Sequence, residues 1–274
     1  MSDTLEKIKS LKKYMGEKSK SGICLAFSGG VDSSLILDIG CEEAKKNGGR
    51  LVAVTFSTRL HPKSDIEIAK KLCEERGISH VVLDVDESES KELLNNPVNR
   101  CYICKKHIFE TLLSFAKSNN LSVCMEGTNF DDLKSYRPGI KAIDELGIES
   151  PLRKFELTKN EIRSIAESRG ISVSKRPSAP CLATRIPYNT PMDFDLFERI
   201  EKGENQLKSM GFKNIRIRVY QNIARIEIDK ENFKDFIEKG DIIVEKIKGL
   251  GFEYVTLDIE GFRSGSMDIN INKE

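Results

Sequence analysis

Residues 28–34 are the part of this chain best suited to bind phosphate groups. They read Ser-Gly-Gly-Val-Asp-Ser-Ser and follow the apolar run 23–27. Gly29 and Gly30 permit a tight turn and a close approach of the backbone to an anion, because neither residue has a Cβ atom. A helix that begins near Val31 would direct free N–H groups and its positive dipole end at that anion. The segment therefore predicts a nucleotide-phosphate site where a strand meets a helix.

The side chains of the same segment supply further ligands. Ser28, Ser33 and Ser34 offer hydroxyl donors, and Asp32 could hold Mg²⁺ beside a pyrophosphate group. An ordinary strand–helix turn is the structural alternative, and the Walker A and G-x-G-x-x-G strings are both absent from the sequence. We predict Asp32 and Ser33 to be catalytic. The predicted nucleotide site comprises Ala26, Phe27, Ser28, Gly29, Gly30, Asp32, Ser33 and Ser34.

A second chemical feature is a set of three cysteines, Cys101, Cys104 and Cys181. The first two stand three positions apart at the start of a helical run, so their thiols can converge on one centre. If Cys181 joins them, three thiolates suit a [4Fe–4S] cluster with one open iron, or zinc completed by His107. A redox dithiol, or simple packing in a helix, is the alternative, and it gives Cys181 no role.

The other four cysteines are predicted to be small core residues. Cys24 and Cys124 lie in apolar strand-like runs, and Cys41 and Cys73 occur at helical spacing. Seven cysteines, an odd number, without an export signal argue against a disulfide framework. Because the sequence has no apolar run of membrane-spanning length, we expect a cytoplasmic protein with no membrane partner.

Strand-like runs at 23–27, 51–56, 80–85 and 122–127 alternate with helical stretches. This order predicts an α/β fold, with a parallel sheet covered by helices on both faces. The connections after the first, second and fourth strands would gather at the carboxyl edge of the sheet, where ligands bind in such folds. We therefore expect the polar turn after the fourth strand to close the nucleotide pocket. Its residues are Gly127, Thr128, Asn129, Asp131 and Asp132.

The pattern of predicted secondary structure changes near residue 190. A loop rich in turn-forming residues gives way to a helix, two alternating strands separated by Gln221-Asn222, a second helix and a third strand. This order predicts a smaller α+β domain over residues 189–274, after a nucleotide-binding domain over residues 1–188. The 44 basic and 43 acidic residues give a net charge of +1, which by itself argues neither for nor against nucleic acid. Because the sequence also has no second C-x-x-C pair, we expect no stable nucleic-acid partner.

Five strings spread over nearly the whole chain, SGGVDSS, EGTNFDD, PSAPCLATRIPY, RIRVYQNIARIEI and GFRSGSM, resemble the LarE family. These proteins are ATP-dependent PP-loop sulfur transferases with an adenine nucleotide alpha hydrolase-like domain. The resemblance implies adenylation of a carboxylate of pyridinium-3,5-biscarboxylic acid mononucleotide and its conversion to a thiocarboxylate, on the way to a nickel-pincer nucleotide. It also implies ATP, Mg²⁺, a small nucleotide substrate, a sulfide source and a homo-oligomer, a hexamer.

Several residue roles follow from this resemblance. Thr55 and Phe56 would lie beside the adenine or ribose, and Cys181 would be the sulfur-bearing cysteine. Arg216 and Arg218 match a pair that binds the substrate phosphate, although a solvated strand face also explains their spacing. Arg185 and Glu227 are further active-site candidates.

The chain departs from the family pattern at two positions. In family members that lack other cysteines nearby, the residue that matches Cys181 gives up its own sulfur and becomes dehydroalanine. The presence of Cys101 and Cys104 favours instead a [4Fe–4S] cluster ligated by all three residues, which passes on a bound sulfide.

Three other functions are compatible with parts of the pattern. A tRNA thiolase should show a broad basic surface or additional zinc-ribbon cysteine pairs. An amide-forming ligase of the NAD or GMP synthetase kind would leave the three cysteines idle. A nucleotide-sensing or metal-storage protein would not cleave ATP with any acceptor.

Overall fold

The computed structural model describes residues 2–134, 137–177, 180–263 and 265–268. The chain forms two compact units. Among the described residues, no helix is both long enough and apolar enough to cross a membrane. Unit 1 comprises Met1–Thr58, Lys63–Glu87 and Asn99–Ser178, and unit 2 comprises Arg59–Pro62, Ser88–Val98 and Ala179–Glu274.

This division differs from a single boundary at residue 188. Unit 2 begins before that residue and also takes in two short segments from earlier in the chain. Backbone hydrogen bonds within unit 2 hold these segments: Leu182 N–H donates to the Leu60 carbonyl at 2.8 Å, and Met192 N–H donates to the Leu94 carbonyl at 2.8 Å. Hydrogen bonds between residues so far apart in the sequence cannot be predicted from local composition or periodicity.

The helices, numbered in chain order, are α1 Ser2–Ser19, α2 Val31–Asn47, α3 Lys63–Arg76, α4 Lys91–Leu94, α5 Arg100–Ser118, α6 Gly139–Glu145, α7 Pro151–Lys154, α8 Lys159–Ser168, α9 Phe194–Ser209, α10 Phe233–Glu238 and α11 Gly240–Lys248. The strands are β1 Ile23–Ala26, β2 Leu51–Ser57, β3 Ser79–Asp84, β4 Val123–Met125, β5 Ile215–Tyr220, β6 Ile223–Ile228 and β7 Tyr254–Leu257.

Unit 1 is built on a parallel sheet of strand order β3-β2-β1-β4. Ile23 and Leu25 of β1 face a core that includes residues of α1, α2 and α8. Cys24, between them, faces a second core that includes residues of α5. Because both faces of the sheet are buried, β1 reads as a continuous apolar run rather than an alternating one. The predicted parallel sheet with helices on both faces is confirmed.

The four cysteines assigned to the core lie there. Cys24, Cys41, Cys73 and Cys124 are all buried. Cys24 and Cys124 are register partners on β1 and β4, so their thiols lie side by side within the sheet core. Their burial confirms the prediction that these cysteines are core residues.

Unit 2 contains a mixed sheet of order β5-β6-β7. β5 and β6 form an antiparallel hairpin through Gln221, which has a φ of 54°, and β7 runs parallel to β6. Helix α9 packs on β5, with Phe197, Ile200 and Leu207 buried. The predicted smaller α+β domain is confirmed, although the single helix expected between the hairpin and the last strand is divided into α10 and α11.

Candidate functional site

The phosphate loop follows β1 directly. Phe27 N–H still donates to the Val54 carbonyl at 2.8 Å, which holds the last residue before the turn against β2. Gly29 has a φ of 67°, and a Cβ atom there would lie 3.3 Å from the backbone nitrogen of Ala69. Both the backbone conformation and the close packing therefore favour glycine at this position. Gly30 caps α2, whose first-turn N–H groups lack intrahelical acceptors and remain available to an anion.

Serine hydroxyls line the same turn. The Ser28 and Ser33 hydroxyl oxygens lie 3.2 Å apart, and Ser33 donates to the Gly30 carbonyl at 3.2 Å. Ser34 is buried, and within the described part of the chain its hydroxyl has no hydrogen-bond partner. A buried hydroxyl without a partner is costly. Its position in the first turn of α2 fits a site completed by a ligand.

Asp32 occupies the first turn of α2 and is held by two donors. Asn129 Nδ2 donates to Asp32 Oδ1 at 3.2 Å, and the Lys159 ammonium pairs with Asp32 Oδ2. Lys159 was not among the predicted residues. It opens α8 immediately after Thr158, whose capping box marks the helix start but gives no indication that the lysine points to the phosphate loop.

The turn after β4 reaches the phosphate loop, as the topology predicts. A Cβ atom at Gly127 would lie 3.1 Å from the Ser33 backbone nitrogen, so glycine permits the close approach. Asn129 Oδ1 accepts the N–H groups of Asp131 at 2.9 Å and Asp132 at 3.2 Å. These bonds direct the Asn129 amide nitrogen toward α2.

Thr128 has a different role in the same turn. Its N–H and hydroxyl donate to the two carboxylate oxygens of Glu126 at 2.9 and 2.7 Å, and Ser150 donates at 2.5 Å. Glu126 is buried, and Lys105 of α5 lies 3.8 Å from it. The Thr128 side chain therefore fixes the buried carboxylate of Glu126. Glu126 was not among the residues predicted from the sequence.

Thr55, on β2, steadies the backbone before the phosphate loop. Its hydroxyl contacts the Phe27 carbonyl at 2.7 Å and His80 Nε2 at 2.8 Å. A carbonyl can only accept, so the single hydroxyl proton goes to Phe27 and His80 must donate through Nε2. Burial, followed by the charge of Lys70, lowers the pKa of His80. Phe56, the next residue on β2, is half-buried.

Cys181 lies in unit 2, directly before a single 3₁₀ turn, Leu182–Arg185. Its carbonyl oxygen accepts from Thr184 N–H at 3.1 Å, from the Thr184 hydroxyl at 2.8 Å and from Arg185 Nη1 at 3.3 Å. The Cys181 backbone is thereby fixed, while its side chain is only half-buried.

Arg185 is itself held by a buried ion pair. Its Nε and Nη2 donate to the Glu204 carboxylate at 2.8 and 3.0 Å, and both residues are almost fully buried. Burial tends to raise the pKa of Glu204, but the charge and hydrogen bonds of Arg185 outweigh it and leave the pKa lowered. Glu204 also accepts Ile217 N–H of β5 at 3.1 Å. Sequence analysis missed Glu204, although it shares the apolar face of Ile200 and Leu207 on α9.

The predicted arginine pair lies on β5. Arg218 is buried and donates to the Thr184 carbonyl at 2.7 Å and to Glu227 at 3.2 Å. Glu227, fully buried, also accepts from Arg225 at 3.0 Å and Ser266 at 2.8 Å. Arg218 and Glu227 therefore brace the loop that carries Cys181.

Arg216 has a more open position than Arg218. Its guanidinium lies over the Phe262 ring, 5.2 Å from the centroid. Burial, then the nearby charge of Arg185, lowers the pKa of Arg216 to about 10, so the side chain remains cationic at neutral pH. The Arg216 guanidinium is therefore a positive charge to which an anionic ligand could bind.

The three cysteines outside the core differ in placement. Cys101 is exposed and Cys104 is half-buried, one turn apart on α5 of unit 1, whereas half-buried Cys181 belongs to unit 2. Within the described ranges, no group of three or more His, Cys, Asp or Glu residues is arranged to hold a metal ion.

The buried ion pair gives a testable prediction. Glu204→Ala leaves the Arg185 charge buried without its partner, so we expect about 3–5 kcal/mol of destabilisation and faster alkylation of the Cys181 thiol. Thermal unfolding and mass spectrometry of alkylated peptides measure the two effects. Glu198→Ala, at an exposed position of the same helix, is the control. Equal behaviour of the two variants would contradict the positioning role.

A family described as a PP-loop domain matches residues 3–134. The chain is 30% identical to the pyridinium-3,5-bisthiocarboxylic acid mononucleotide synthase of Lactiplantibacillus plantarum, over 93% of this chain and 92% of that protein. It is 34% identical to an uncharacterised protein of Synechocystis, over 97% of this chain and 98% of that protein.

A more partial relationship links the chain to a tRNA-modifying enzyme. It is 30% identical to a tRNA-specific 2-thiouridylase of Fusobacterium nucleatum, over 61% of this chain but only 50% of that protein. The similarity to the mononucleotide synthase, in contrast, includes both units.

Proposed function

The chain belongs to the LarE family of PP-loop proteins, and on that basis we propose that it is an ATP-dependent sulfurtransferase. Its substrate is a pyridinium mononucleotide that carries carboxylates, and its product is the corresponding thiocarboxylate. The observation that carries the proposal is the similarity to the mononucleotide synthase over 93% of this chain and 92% of the relative. The aligned length therefore extends over both the phosphate loop and the Cys181 region.

The reaction has two steps. In the first, a carboxylate oxygen attacks the α-phosphorus of ATP, the bond between the α-phosphorus and the bridging oxygen breaks, and pyrophosphate leaves. In the second, a sulfur nucleophile attacks the carbonyl carbon of the acyl-adenylate, and AMP leaves with the former carboxylate oxygen. Adenylation thus replaces a poor leaving group with a good one.

Unit 1 supplies the groups for the first step. The N-terminus of α2 and the hydroxyls of Ser28, Ser33 and Ser34 are suited to the phosphates of ATP. Asp32 is suited to Mg²⁺, since carboxylates and phosphate oxygens are its usual ligands. Thr55 and Phe56 are proposed to lie beside the adenine or ribose. Catalysis here comes from positioning and from stabilisation of charge on the departing pyrophosphate.

Cys181 is proposed to be a ligand of the centre that carries the transferred sulfur. The three hydrogen bonds to its carbonyl and the buried Arg185 behind them fix its backbone, while its thiol is not packed into the core. This arrangement is what a group that must meet a substrate in a defined orientation needs.

Cys101 and Cys104 are proposed to complete a [4Fe–4S] site with Cys181. The exposure of the three side chains supports this proposal, because Cys101, Cys104 and Cys181 are at least partly accessible, whereas the other four cysteines are buried. Thiolates are the usual cluster ligands, and three of them leave one iron open. When bound, such a cluster supplies a sulfide to the reaction.

Cys181→Ala separates the two chemical steps. We expect substrate-dependent release of pyrophosphate to persist in this variant, because the adenylation groups are intact, and formation of thiocarboxylate to stop. A pyrophosphate assay and mass spectrometry of the pyridinium product measure the two steps. Cys41→Ala, at a buried position, should retain both. Thiocarboxylate formed by Cys181→Ala at the wild-type rate would overturn the assignment.

The cluster is tested by its metal content. Anaerobically purified protein should contain iron and acid-labile sulfide in about equal amounts, as expected for a [4Fe–4S] cluster, and Cys101→Ala, Cys104→Ala and Cys181→Ala should each lose them. Cys73→Ala, in the core, should not. Full iron in the Cys101→Ala protein contradicts this ligand set. An iron-free but active wild type would indicate that Cys181 gives up its own sulfur.

Arg216 is proposed to bind the substrate phosphate. Arg216→Ala should weaken binding of the phosphorylated substrate about tenfold or more, as for loss of a charged hydrogen bond, and leave ATP affinity unchanged. Titration calorimetry with the mononucleotide and with its dephosphorylated form measures the effect. Arg218 is less suitable for this test, because its guanidinium also holds Thr184 and Glu227. An unchanged preference for the phosphorylated form would exclude the role.

A further inference from the structure

We propose that Lys159 is a phosphate-binding residue of the ATP site, and that Asp32 exchanges Lys159 for Mg²⁺ when the nucleotide binds. This inference rests on the proposed function, since it takes ATP as the ligand. It begins from the contact between the Lys159 ammonium and Asp32 Oδ2.

Both oxygens of the Asp32 carboxylate are occupied by protein donors. Lys159 pairs with Oδ2, and Asn129 Nδ2 donates to Oδ1 at 3.2 Å. A carboxylate intended for Mg²⁺ must offer an oxygen to the metal. The mobile member of the pair, the lysine side chain, therefore has to leave when the metal arrives.

The surrounding backbone brings Lys159 to this place. Its own N–H donates to Asp131 Oδ2 at 2.8 Å, and the capping box formed by Thr158 and Glu161 fixes the start of α8. Asn129 is oriented by the two N–H groups that it accepts. These contacts fix the backbone from which the Lys159 side chain starts, so its ammonium group lies within reach of Asp32.

The Lys159–Asp32 ion pair is better suited to exchange its cation than to stabilise the fold. The side chains of Lys159 and Asp32 are 33% and 21% exposed, and ion pairs at such exposure stabilise a fold little. A polyphosphate that approaches α2 meets the negative charge of Asp32, which repels it unless a cation intervenes. Lysine is a compact cation suited to phosphate oxygens. Before metal binds, Lys159 thus neutralises Asp32. Afterwards Mg²⁺ does so, and Lys159 is released to a phosphate oxygen.

Inorganic pyrophosphate is the probe for this exchange, titrated calorimetrically with and without Mg²⁺. Lys159→Met should weaken metal-free binding about tenfold or more, because the charge of Asp32 is then no longer neutralised and repels the pyrophosphate. Lys159→Arg should largely restore it. Asp32→Asn should instead strengthen metal-free binding, because a repulsive charge is removed, and should abolish the enhancement by Mg²⁺. These opposite effects distinguish exchange from a pair that merely maintains the loop.

Lys175→Met is the matched control. Lys175 forms an ion pair of the same kind with Glu167 at 2.7 Å, also in unit 1, without contact to the phosphate loop. The inference is overturned if Lys159→Met binds metal-free pyrophosphate as tightly as Lys175→Met. It is equally overturned if Asp32→Asn weakens that binding as Lys159→Met does. A wild type that binds neither pyrophosphate nor ATP would overturn the proposed function itself, which keeps the two failures distinct.

Discussion

The parallel pairing of β1 with β2 on one side and β4 on the other is the constraint on which unit 1 depends. It brings the carboxyl ends of three strands to one edge, where the chain also turns into α2. From β2, Thr55 holds the carbonyl before the turn, and from β4, Gly127 lets the backbone approach Ser33. The phosphate-binding N–H groups are thereby positioned before any nucleotide binds, which is the condition for electrostatic preorganisation.

Unit 2 fixes the backbone of Cys181, the proposed reactive residue, with buried charge instead of strand ends. The ion pair of Arg185 with Glu204 links the carbonyl of Cys181 to α9 and to the backbone of β5. Arg218 adds a second link, from Glu227 to the same loop. Such pairs seldom add net stability compared with an apolar core, and their value here is orientation. The two units thus fix the proposed site residues by different physical means.

The features that sequence analysis predicted correctly are local or periodic. The turn glycines, the continuous apolar strands and the core cysteines each depend on neighbouring residues or on a face that a periodic pattern defines. Lys159 and Glu204 were not predicted because each contacts partners that are distant in the sequence. Glu126 has a local partner in Thr128, but its bond from Ser150 also depends on the fold. Arg218 was correctly placed on a strand, but its bond to the Thr184 carbonyl depends on a loop far away in the sequence.

The central claim is that a carboxylate oxygen leaves on AMP and is replaced by sulfur. It is tested most directly with substrate labelled with ¹⁸O in its carboxylates, incubated with ATP, Mg²⁺ and a sulfide source. Mass spectrometry should find one labelled oxygen in the AMP for each sulfur found in the pyridinium product. Unlabelled AMP, or product that retains all of its label while ATP is consumed, would contradict the account.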